Sequence, residues 1–568
     1  MAHETNTITA TDVTSAGTAA GEISRRGFIA GATAAAAGAA ALGATAAHAA
    51  EAATGPDATK PWIPAWDEEC DVVVAGYGAA GVAAAITACE QGMSTIVLEK
   101  SPEEDGGNFG CSTSNLHDTF RCDTDELKQK AKRLSFYCLP DPTVIDDLVD
   151  VMCNDMYPWL TEDLGFTFFE GTREGTARHA ADSAIMFYRT PEGHPGAGNE
   201  FFAALSKVAH EKGADVRTSS PITGLVQDPM TKEVLGARYT DASGDEHAIK
   251  ARHGVIMCTG GFENSKVKQA WYNHAGIFQQ CWGTPYNTGD GIDICSAAGA
   301  AMWHLEGCEW SACAYRLPSE EAGCAVSMPE KGLDPYKFNY IWVNQHGKRF
   351  MDETTTMNHN NSHTALTDWD SKKDEYSNLP FWMVFDQDLF DSVCLYQGTG
   401  YWGLLDTYCA VHDRIDWGDD NTKALANGWI VKGDTIQELA ANMHGLNPAD
   451  EDVQPDADAL ADTVANWNKM CAAGKDTEFK RGNMAALSEK GPYYAIELCC
   501  SSINTQGGPA HDGKNRSLDA AGNPIPRLYN CGEFGSVNGF AYVIGNICEA
   551  LTTGRIAALD AAGLDPWA

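Results

Sequence analysis

Cys70-Asp-Val-Val-Val-Ala-Gly76-Tyr-Gly78-Ala-Ala-Gly81, with the alanine-rich run to Gly92 and then Ser94-Thr-Ile-Val-Leu98-Glu99, sets the architecture of this chain. The β-branched run up to Ala75 has the uninterrupted apolar pattern of a strand buried on both faces. The glycines follow it at once. Gly76 suits a tight turn, Gly78 lets the backbone approach a pyrophosphate, and Gly81 lets the next helix pack close to the strand. The start of that helix offers free N–H groups to phosphate oxygens. Glu99 ends the second strand at the distance where an acidic side chain accepts hydrogen bonds from an adenosine ribose, which disfavours a 2′-phosphate. A lone Gly-x-Gly-x-x-Gly is a weak signal. Here the preceding strand, the helix, the second strand and the acidic end all accompany it, so the unit reads as a site for NAD or FAD.

Further along, Gly106-Gly107-Asn108 and Ser112-Thr113-Ser114 form a small-residue stretch able to lie against a flat cofactor. A hairpin-like segment from Val216 to Ala251 leads into Gly254-Val-Ile-Met-Cys258-Thr259-Gly260-Gly261, another buried strand with a glycine turn. Arg527-Leu-Tyr-Asn-Cys-Gly532-Glu533 repeats that strand-to-glycine pattern, and Tyr542-Val-Ile-Gly545-Asn546 opens a final helix through Gly554-Arg555.

From Asp71 to the end, these motifs resemble the flavoprotein superfamily that holds fumarate reductases, urocanate reductases and 3-ketosteroid dehydrogenases. The resemblance implies an α/β fold with an α+β cap: a Rossmann-like FAD-binding domain, residues 67–304 and 502–568, interrupted by a smaller capping domain, residues 305–501. It also implies one FAD. Gly76, Gly78, Ala80 and Gly81 would hold its diphosphate and Glu99 its ribose, with the Cys258 to Gly261 turn beside the adenosine half. Gly106, Gly107, Asn108 and Ser112 would lie along the cofactor. Glu533, Gly545, Asn546 and Ile547 would reach the ribityl chain and isoalloxazine, and Thr288-Gly289-Asp290-Gly291 resembles a signature near the flavin. Several members attach FAD through a histidine after the acidic residue. No histidine occurs here between Glu99 and His117, so the FAD is expected to be non-covalent. With a single dinucleotide fingerprint, a second NAD(P)H domain is not expected.

In the same family, fumarate reductases grip two carboxylates with histidines and arginines, a bidentate arginine being suited to the task. Matched motif by motif, this chain has Ser311 at the first histidine and Met357 where the arginine proton donor belongs. Leu333 and Tyr336 stand in the proton relay, Asn504 at the second histidine and Tyr542 at the C-terminal arginine. A dicarboxylate would meet no cationic clamp. Tyr542 and Gly545 instead resemble the tyrosine-then-glycine element with which ketosteroid dehydrogenases polarise a ring carbonyl, although the turn after the tyrosine is shorter here. Drawing charge onto that oxygen favours hydride arrival at the β-carbon of an enone. Tyr336 is a second phenol able to move a proton at the α-carbon. The interrupting segment also carries Trp310, Tyr315, Tyr336, Tyr340, Trp342, Trp382, Tyr396, Tyr401 and Trp402 as aromatic wall candidates, most of them expected to be ordinary core.

The bulk composition narrows the partners. At 568 residues the chain is too long for one core. A net charge of -38 argues against nucleic acid and anionic membrane surfaces. Ser24-Arg25-Arg26-Gly27-Phe28-Ile29 before an alanine-rich stretch, with Ala47-His48-Ala49 as a cleavage pattern, looks like a twin-arginine export signal over residues 1–49, followed by a linker over 50–66. The expected location is therefore periplasmic, cell-surface or otherwise extracytoplasmic, without a membrane span in the mature protein. A membrane-linked cytochrome is the expected electron donor. The export signal and the tyrosine-for-arginine exchange are also similar to those of the cardiac glycoside reductases of gut actinobacteria, which reduce an unsaturated lactone and carry an iron–sulfur component. Cys308, Cys313 and Cys324 cluster, but their spacing fits no iron–sulfur motif, and buried structural thiols are the plainer reading. The expected activity is reduction of an activated C=C bond in a neutral small molecule. The alternatives are a ketosteroid-type dehydrogenase running oxidatively and a flavin electron carrier with no substrate of its own.

Overall fold

Val72 and Val74 face one hydrophobic core while Cys70, Val73 and Ala75 face another, which is why the first strand shows no polar alternation. The computed structural model describes residues 63–112, 116, 117, 120, 123–135, 139, 141–172, 184–273, 280, 281, 283–316, 325, 326, 339–353, 363–395, 417–446, 450–539 and 544–567. The strand is Glu68–Ala75, and it pairs in parallel with Thr95–Leu98 on one side and Glu246–Met257 on the other. Among the described residues the sheet has eight strands. Its path runs Arg516–Leu518, Pro524–Asn530, Glu246–Met257, Glu68–Ala75, Thr95–Leu98, Asp215–Arg217. The hairpin-like segment is an antiparallel meander, Ile222–Gln227 and Val234–Thr240 running into Glu246–Met257.

The helix after the glycine turn spans Ala79–Glu90, and all but its last two residues are buried. It lies against the C-terminal helix Asn546–Ala562, where a Cβ on Gly554 would fall 2.2 Å from the Ala80 carbonyl oxygen. The small residues of both helices let their backbones approach. The termini of the chain's α/β layer are thus joined across more than 450 residues of sequence, through Ala80 and Gly554.

A second sheet, of seven strands among the described residues, is organised around the long strand Tyr493–Thr505. Cys308–Tyr315 and Phe381–Asp386 flank it antiparallel, and Tyr340–Asn344 continues the sheet beyond Phe381–Asp386. Helix Ala457–Ala473 covers one face through Leu460, Val464 and Trp467. Tyr315, Tyr340, Trp342 and Trp382 are buried in the cores on the two faces of this sheet, so these four aromatics are packing residues. Tyr336, Tyr396, Tyr401 and Trp402 lie outside the described residues, as does the side chain of Trp310. Pro64–Ala568 forms one compact unit, and among the described residues no helix is long and apolar enough to cross a membrane.

Three buried carboxyl environments shape how this fold responds to pH. Arg349 reaches Glu353 at 2.8 and 2.9 Å and Asp476 at 3.0 Å, and Arg481 closes the network on Glu353 at 3.2 Å. Burial opposes ionisation of Asp476, but Arg349 and the N–H groups of Phe479 and Glu478 outweigh it and hold its carboxyl down at about 2. Glu497 is only partly compensated, with Arg316 Nε at 2.9 Å. Burial raises it to about 7 against the opposing pull of Arg316 and the Leu446 N–H. Glu549 is likewise raised by burial to about 7, although the Ser536 hydroxyl, the Val537 N–H and the Asn538 amide all donate to it. A carboxyl raised on folding contributes stability that is full below its ordinary value and is lost as pH rises through the folded one. Each of these two should forfeit about 3 kcal/mol between pH 4.5 and pH 7 and beyond. The melting temperature should therefore fall from pH 6 to pH 8.5. A melting temperature constant over that interval would contradict these two assignments.

Candidate active site

The dinucleotide loop is shaped by close backbone approaches. Gly76 has φ +95°, and a Cβ there would lie 2.3 Å from the Cys258 carbonyl oxygen; a Cβ on Gly81 would lie 2.0 Å from the Gly76 carbonyl oxygen. Gly78 differs: the nearest atom to a Cβ there is the Gly106 carbonyl oxygen at 3.5 Å. Gly78 is also the N-cap of Ala79–Glu90, which has no side-chain cap and no acidic residue in its first turn. Two glycines are needed by the fold itself, and the third leaves room over an uncapped helix start. That cradle fits a pyrophosphate.

Glu99 ties the turn to the second strand. Its carboxylate accepts from the Tyr77 N–H at 2.7 Å and the Ser101 N–H at 2.7 Å. Burial raises its pKa, with both N–H groups pulling the other way. Next to it, Lys100 donates to Thr288 Oγ1 and Asp290 Oδ2, each at 2.6 Å. This ion pair anchors the start of helix Asp290–Ala297 to the segment that follows Glu99.

The remaining expected cofactor residues arrive from four more segments. Gly106 brings its carbonyl beside Gly78, and a Cβ on Gly106 would strike the Phe202 ring at 2.5 Å. The Gly107 N–H is held by Asp105 Oδ1 at 2.8 Å. Asn108 donates to Glu533 Oε2 at 3.0 Å and accepts from the Thr284 N–H at 2.9 Å. Gly532 sits against Ala80, whose Cβ would lie 3.0 Å from a Cβ added at Gly532, so the C-terminal glycine turn closes over the first helix. Gly260 packs on Asn287, whose Oδ1 a Cβ would meet at 2.4 Å. Gly545 is the N-cap of the last helix with φ +78°, Asn546 accepts from the Gln506 and Asn538 amides at 3.4 Å, and Ile547 is partly buried against the core. Ser112 is the outlier. Its carbonyl accepts from the Gly198 N–H at 2.9 Å, and its side chain crowds the start of helix Gly198–Glu211.

Thr259 Oγ1 and Gln506 Oε1 are two of several buried polar atoms that find no partner among the described residues. Thr259 is in the adenosine-side turn, while Gln506 stands next to Asn546. Buried polar groups are rarely left so, and an unsatisfied hydroxyl and amide oxygen beside the two glycine turns suit the hydroxyls and ring N–H of FAD. The residues present therefore fit the cofactor that the sequence implies.

On the substrate side, Tyr542, Tyr336, Met357 and Leu333 lie outside the described residues, and so does the side chain of Ser311. The ends of the segment bearing Tyr542 are fastened: the Ile544 N–H donates to Asn538 Oδ1 at 3.3 Å, and Asn538 Nδ2 donates to Glu549 at 2.6 Å. Asn504 is buried, and its amide donates to the Thr505 carbonyl at 3.3 Å. Among the described residues no group of three or more His, Cys, Asp or Glu side chains could hold a metal ion, and the cysteines found there are free.

Three features of the site went unread in the sequence: the Lys100 anchor, the Glu549 cluster under the last helix, and Glu263. Glu263 follows the quoted Gly260-Gly261 by two residues, and an acidic residue so soon after a buried strand was the available signal.

A family model described as FAD binding domain matches residues 71–546 of this chain. The chain is 26% identical over 528 residues to a probable fumarate reductase of Shewanella frigidimarina, covering 89% of this chain and 79% of that protein. It is 27% identical over 594 residues to a 3-oxosteroid 1-dehydrogenase of Mycolicibacterium smegmatis, covering 87% and 97%. In fold it is similar to the crystal structure of a 3-ketosteroid delta1-dehydrogenase from Sterolibacterium denitrificans, with TM-score 0.69, 20% identity, and 87% and 99% of the two chains covered.

Proposed function

Because this chain belongs to the FAD binding domain family and is an FAD-dependent oxidoreductase, we propose that it reduces the activated C=C bond of a neutral small molecule, an enone or unsaturated lactone of steroid- or cardenolide-like type. The supporting observation is the loss of cations at every position where the dicarboxylate clamp of fumarate reductases would stand: Ser311, Met357, Asn504 and Tyr542. Relatives of both kinds exist, one named for fumarate and one for an oxosteroid, and these four residues favour the second kind of substrate.

Bound FAD supplies the hydride acceptor and donor. The chain's own groups then divide the remaining work. The Tyr542 O–H and the Gly545 N–H draw electron density onto a carbonyl oxygen, and Tyr336 moves the proton at the α-carbon. Electrons come from an external carrier such as a membrane-linked cytochrome, since the chain has a single dinucleotide motif.

The test is anaerobic. The purified protein is reduced with dithionite or a viologen, and its reoxidation is followed against fumarate, urocanate, cinnamates, steroid enones and butenolides. An enone or butenolide should reoxidise it at turnover rates and fumarate should not. Reoxidation by fumarate at such rates would refute the reading, and bleaching of the oxidised protein by a saturated ketosteroid would identify the opposite direction. Acid precipitation of the same sample should release the yellow chromophore.

The proposal includes export of the folded, FAD-loaded protein, on the strength of Arg25 and Arg26 before the alanine-rich stretch. Replacing both with lysine should hold the protein in the cytoplasm. Unchanged export would point to another route.

A further inference from the structure

Glu263 and Glu533 follow two neighbouring parallel strands, Glu246–Met257 and Pro524–Asn530, in which Met257 stands opposite Asn530. Parallel pairing delivers both carboxyls to the same edge of the sheet, the C-terminal edge where α/β sheets bind ligands. There they meet. Asn108 Nδ2 donates to Glu263 Oε1 at 2.8 Å and to Glu533 Oε2 at 3.0 Å. Asn287 Nδ2 adds a bond to Glu263 Oε1 at 2.7 Å. The Thr505 hydroxyl donates to Glu263 Oε2 at 3.2 Å, and its N–H donates to Glu533 Oε1 at 3.1 Å. A Cβ on Gly261 would lie 2.4 Å from Glu263 Oε2 and 2.7 Å from Glu533 Oε1, so a glycine at that position allows the two groups to close on each other.

All of these donors are neutral. Among the described residues no lysine, arginine or histidine pairs with either carboxyl, and the titratable groups nearby are the Cys281 and Cys111 thiols. Cys281 is itself pushed well above its ordinary value, by burial first and then by Glu263, so it brings no positive charge. Burial raises Glu263 and raises Glu533 further, with the charge of Glu263 as the next cause for Glu533. Two touching carboxyls without a cation cannot both ionise, and they titrate as one unit. Burial and mutual repulsion both favour a unit that holds one proton between its two carboxyls.

The pair is also bonded to residues beside those expected to hold the cofactor. Asn108 belongs to the turn whose Gly106 carbonyl faces Gly78, and Thr505 is followed by Gln506, a 1% exposed side chain with an unpartnered Oε1. Gln506 in turn reaches Asn546 at the start of the last helix.

We propose that Glu263 and Glu533 act as one redox-linked proton acceptor, sharing a single proton while the FAD is oxidised and taking up a second proton from solvent when the FAD is reduced. The inference rests on the FAD reading above. Two electrons and one proton convert the oxidised cofactor into its reduced anion, and the pair binds one further proton, so the buried site gains no net charge. When the hydride leaves for the substrate carbon, the pair returns its proton to solvent. The physical drive is the cost of adding a second negative charge to a poorly solvated site that already holds one. Both glutamates are positioning residues in this scheme, since neither is asked to touch the reacting carbon.

The midpoint potential of the FAD-loaded protein, measured from pH 6 to pH 8, reads the proton count directly. Each proton taken up changes a two-electron equilibrium tenfold per pH unit, which is about 30 mV. The wild type should fall by about 60 mV per pH unit, for two protons, and the double variant Glu263→Gln with Glu533→Gln by about 30 mV, for one. A glutamine at each position keeps an amide oxygen for Asn108 and has no proton to exchange. A pH-indicator dye in weakly buffered solution should likewise count two protons per two electrons for the wild type. If the double variant fails to hold FAD, that wild-type count still decides. One proton per two electrons in the wild type, or equal slopes in wild type and double variant, would overturn the proposal. Folded protein that binds no FAD would overturn the functional reading instead.

Discussion

Gly76→Ala is expected to abolish FAD retention and lower stability, whereas Gly78→Ala should lose FAD with the fold intact. At Gly76 the backbone φ is +95°, and the added methyl would sit 2.3 Å from the carbonyl oxygen of Cys258, a residue fixed just past its strand by its N–H bond to the Ala75 carbonyl at 2.7 Å. The strained backbone costs about 1–3 kcal/mol and the overpacking a further 1–3 kcal/mol. A displacement of the turn by that much moves the helix start away from the phosphates, and about 3 kcal/mol corresponds to roughly a hundredfold loss of affinity. At Gly78 the nearest protein atom would be 3.5 Å away, an ordinary contact, so the protein alone tolerates the methyl. What the methyl occupies is the approach to the uncapped helix start, where the pyrophosphate belongs. Flavin-to-protein absorbance ratio and melting temperature, measured together, separate the two effects. A Gly78→Ala protein with full FAD affinity would show that the diphosphate does not lie over this turn.

Tyr542→Phe is expected to reduce turnover about 10²-fold to 10³-fold, the usual consequence of removing one oxyanion-type donor, while FAD content and melting temperature stay at wild-type values. The substitution deletes one O–H and no packing volume. On the described side of the segment, the Ile544 N–H donates to Asn538 and Asn538 to Glu549, bonds that the substitution does not itself remove. A loss in kcat and kcat/KM together would mark an interaction made in the transition state, whereas a rise in KM alone would mark simple binding. Turnover equal to the parent on the true substrate would remove the carbonyl-polarising role from Tyr542 and pass it to Tyr336 or the Gly545 N–H. Combining Tyr542→Arg with Met357→Arg returns two cations to the positions of the dicarboxylate clamp, and weak binding of fumarate is the expected sign that those positions line the substrate site.

How legible each part was depended on the range over which its physics acts. The strand–glycine–helix unit depends on residues adjacent in the chain. An apolar run from Val72 to Ala75, a turn at Gly76, a small residue at Gly81 and an acidic end at Glu99 each answer a local steric or hydrogen-bonding demand, and all of them sit at the expected places in the fold. The aromatic residues of the second sheet carried less information. Tyr340 and Trp382 could be wall or core by composition alone, and their burial was decided by the pairing of Tyr340–Asn344 with Phe381–Asp386 and by the helix packed across it.

Local pattern in this chain was enough for the dinucleotide unit and the family resemblance, because each is written in residue types at fixed spacing. Tertiary structure alone decided which distant groups meet. The Lys100 salt bridge to Asp290 spans 190 positions, the closure of Gly554 on Ala80 spans more than 450, and the meeting of Glu263 with Glu533 spans 270, so none could be read from spacing. The reason is that parallel strands order themselves by packing rather than by sequence. Pro524–Asn530 lies beside Glu246–Met257 where its Leu528 and Tyr529 enter the cores on opposite faces of the sheet, and that adjacency brings Glu263, which the sequence reading passed over, to Glu533, which it had assigned to the cofactor.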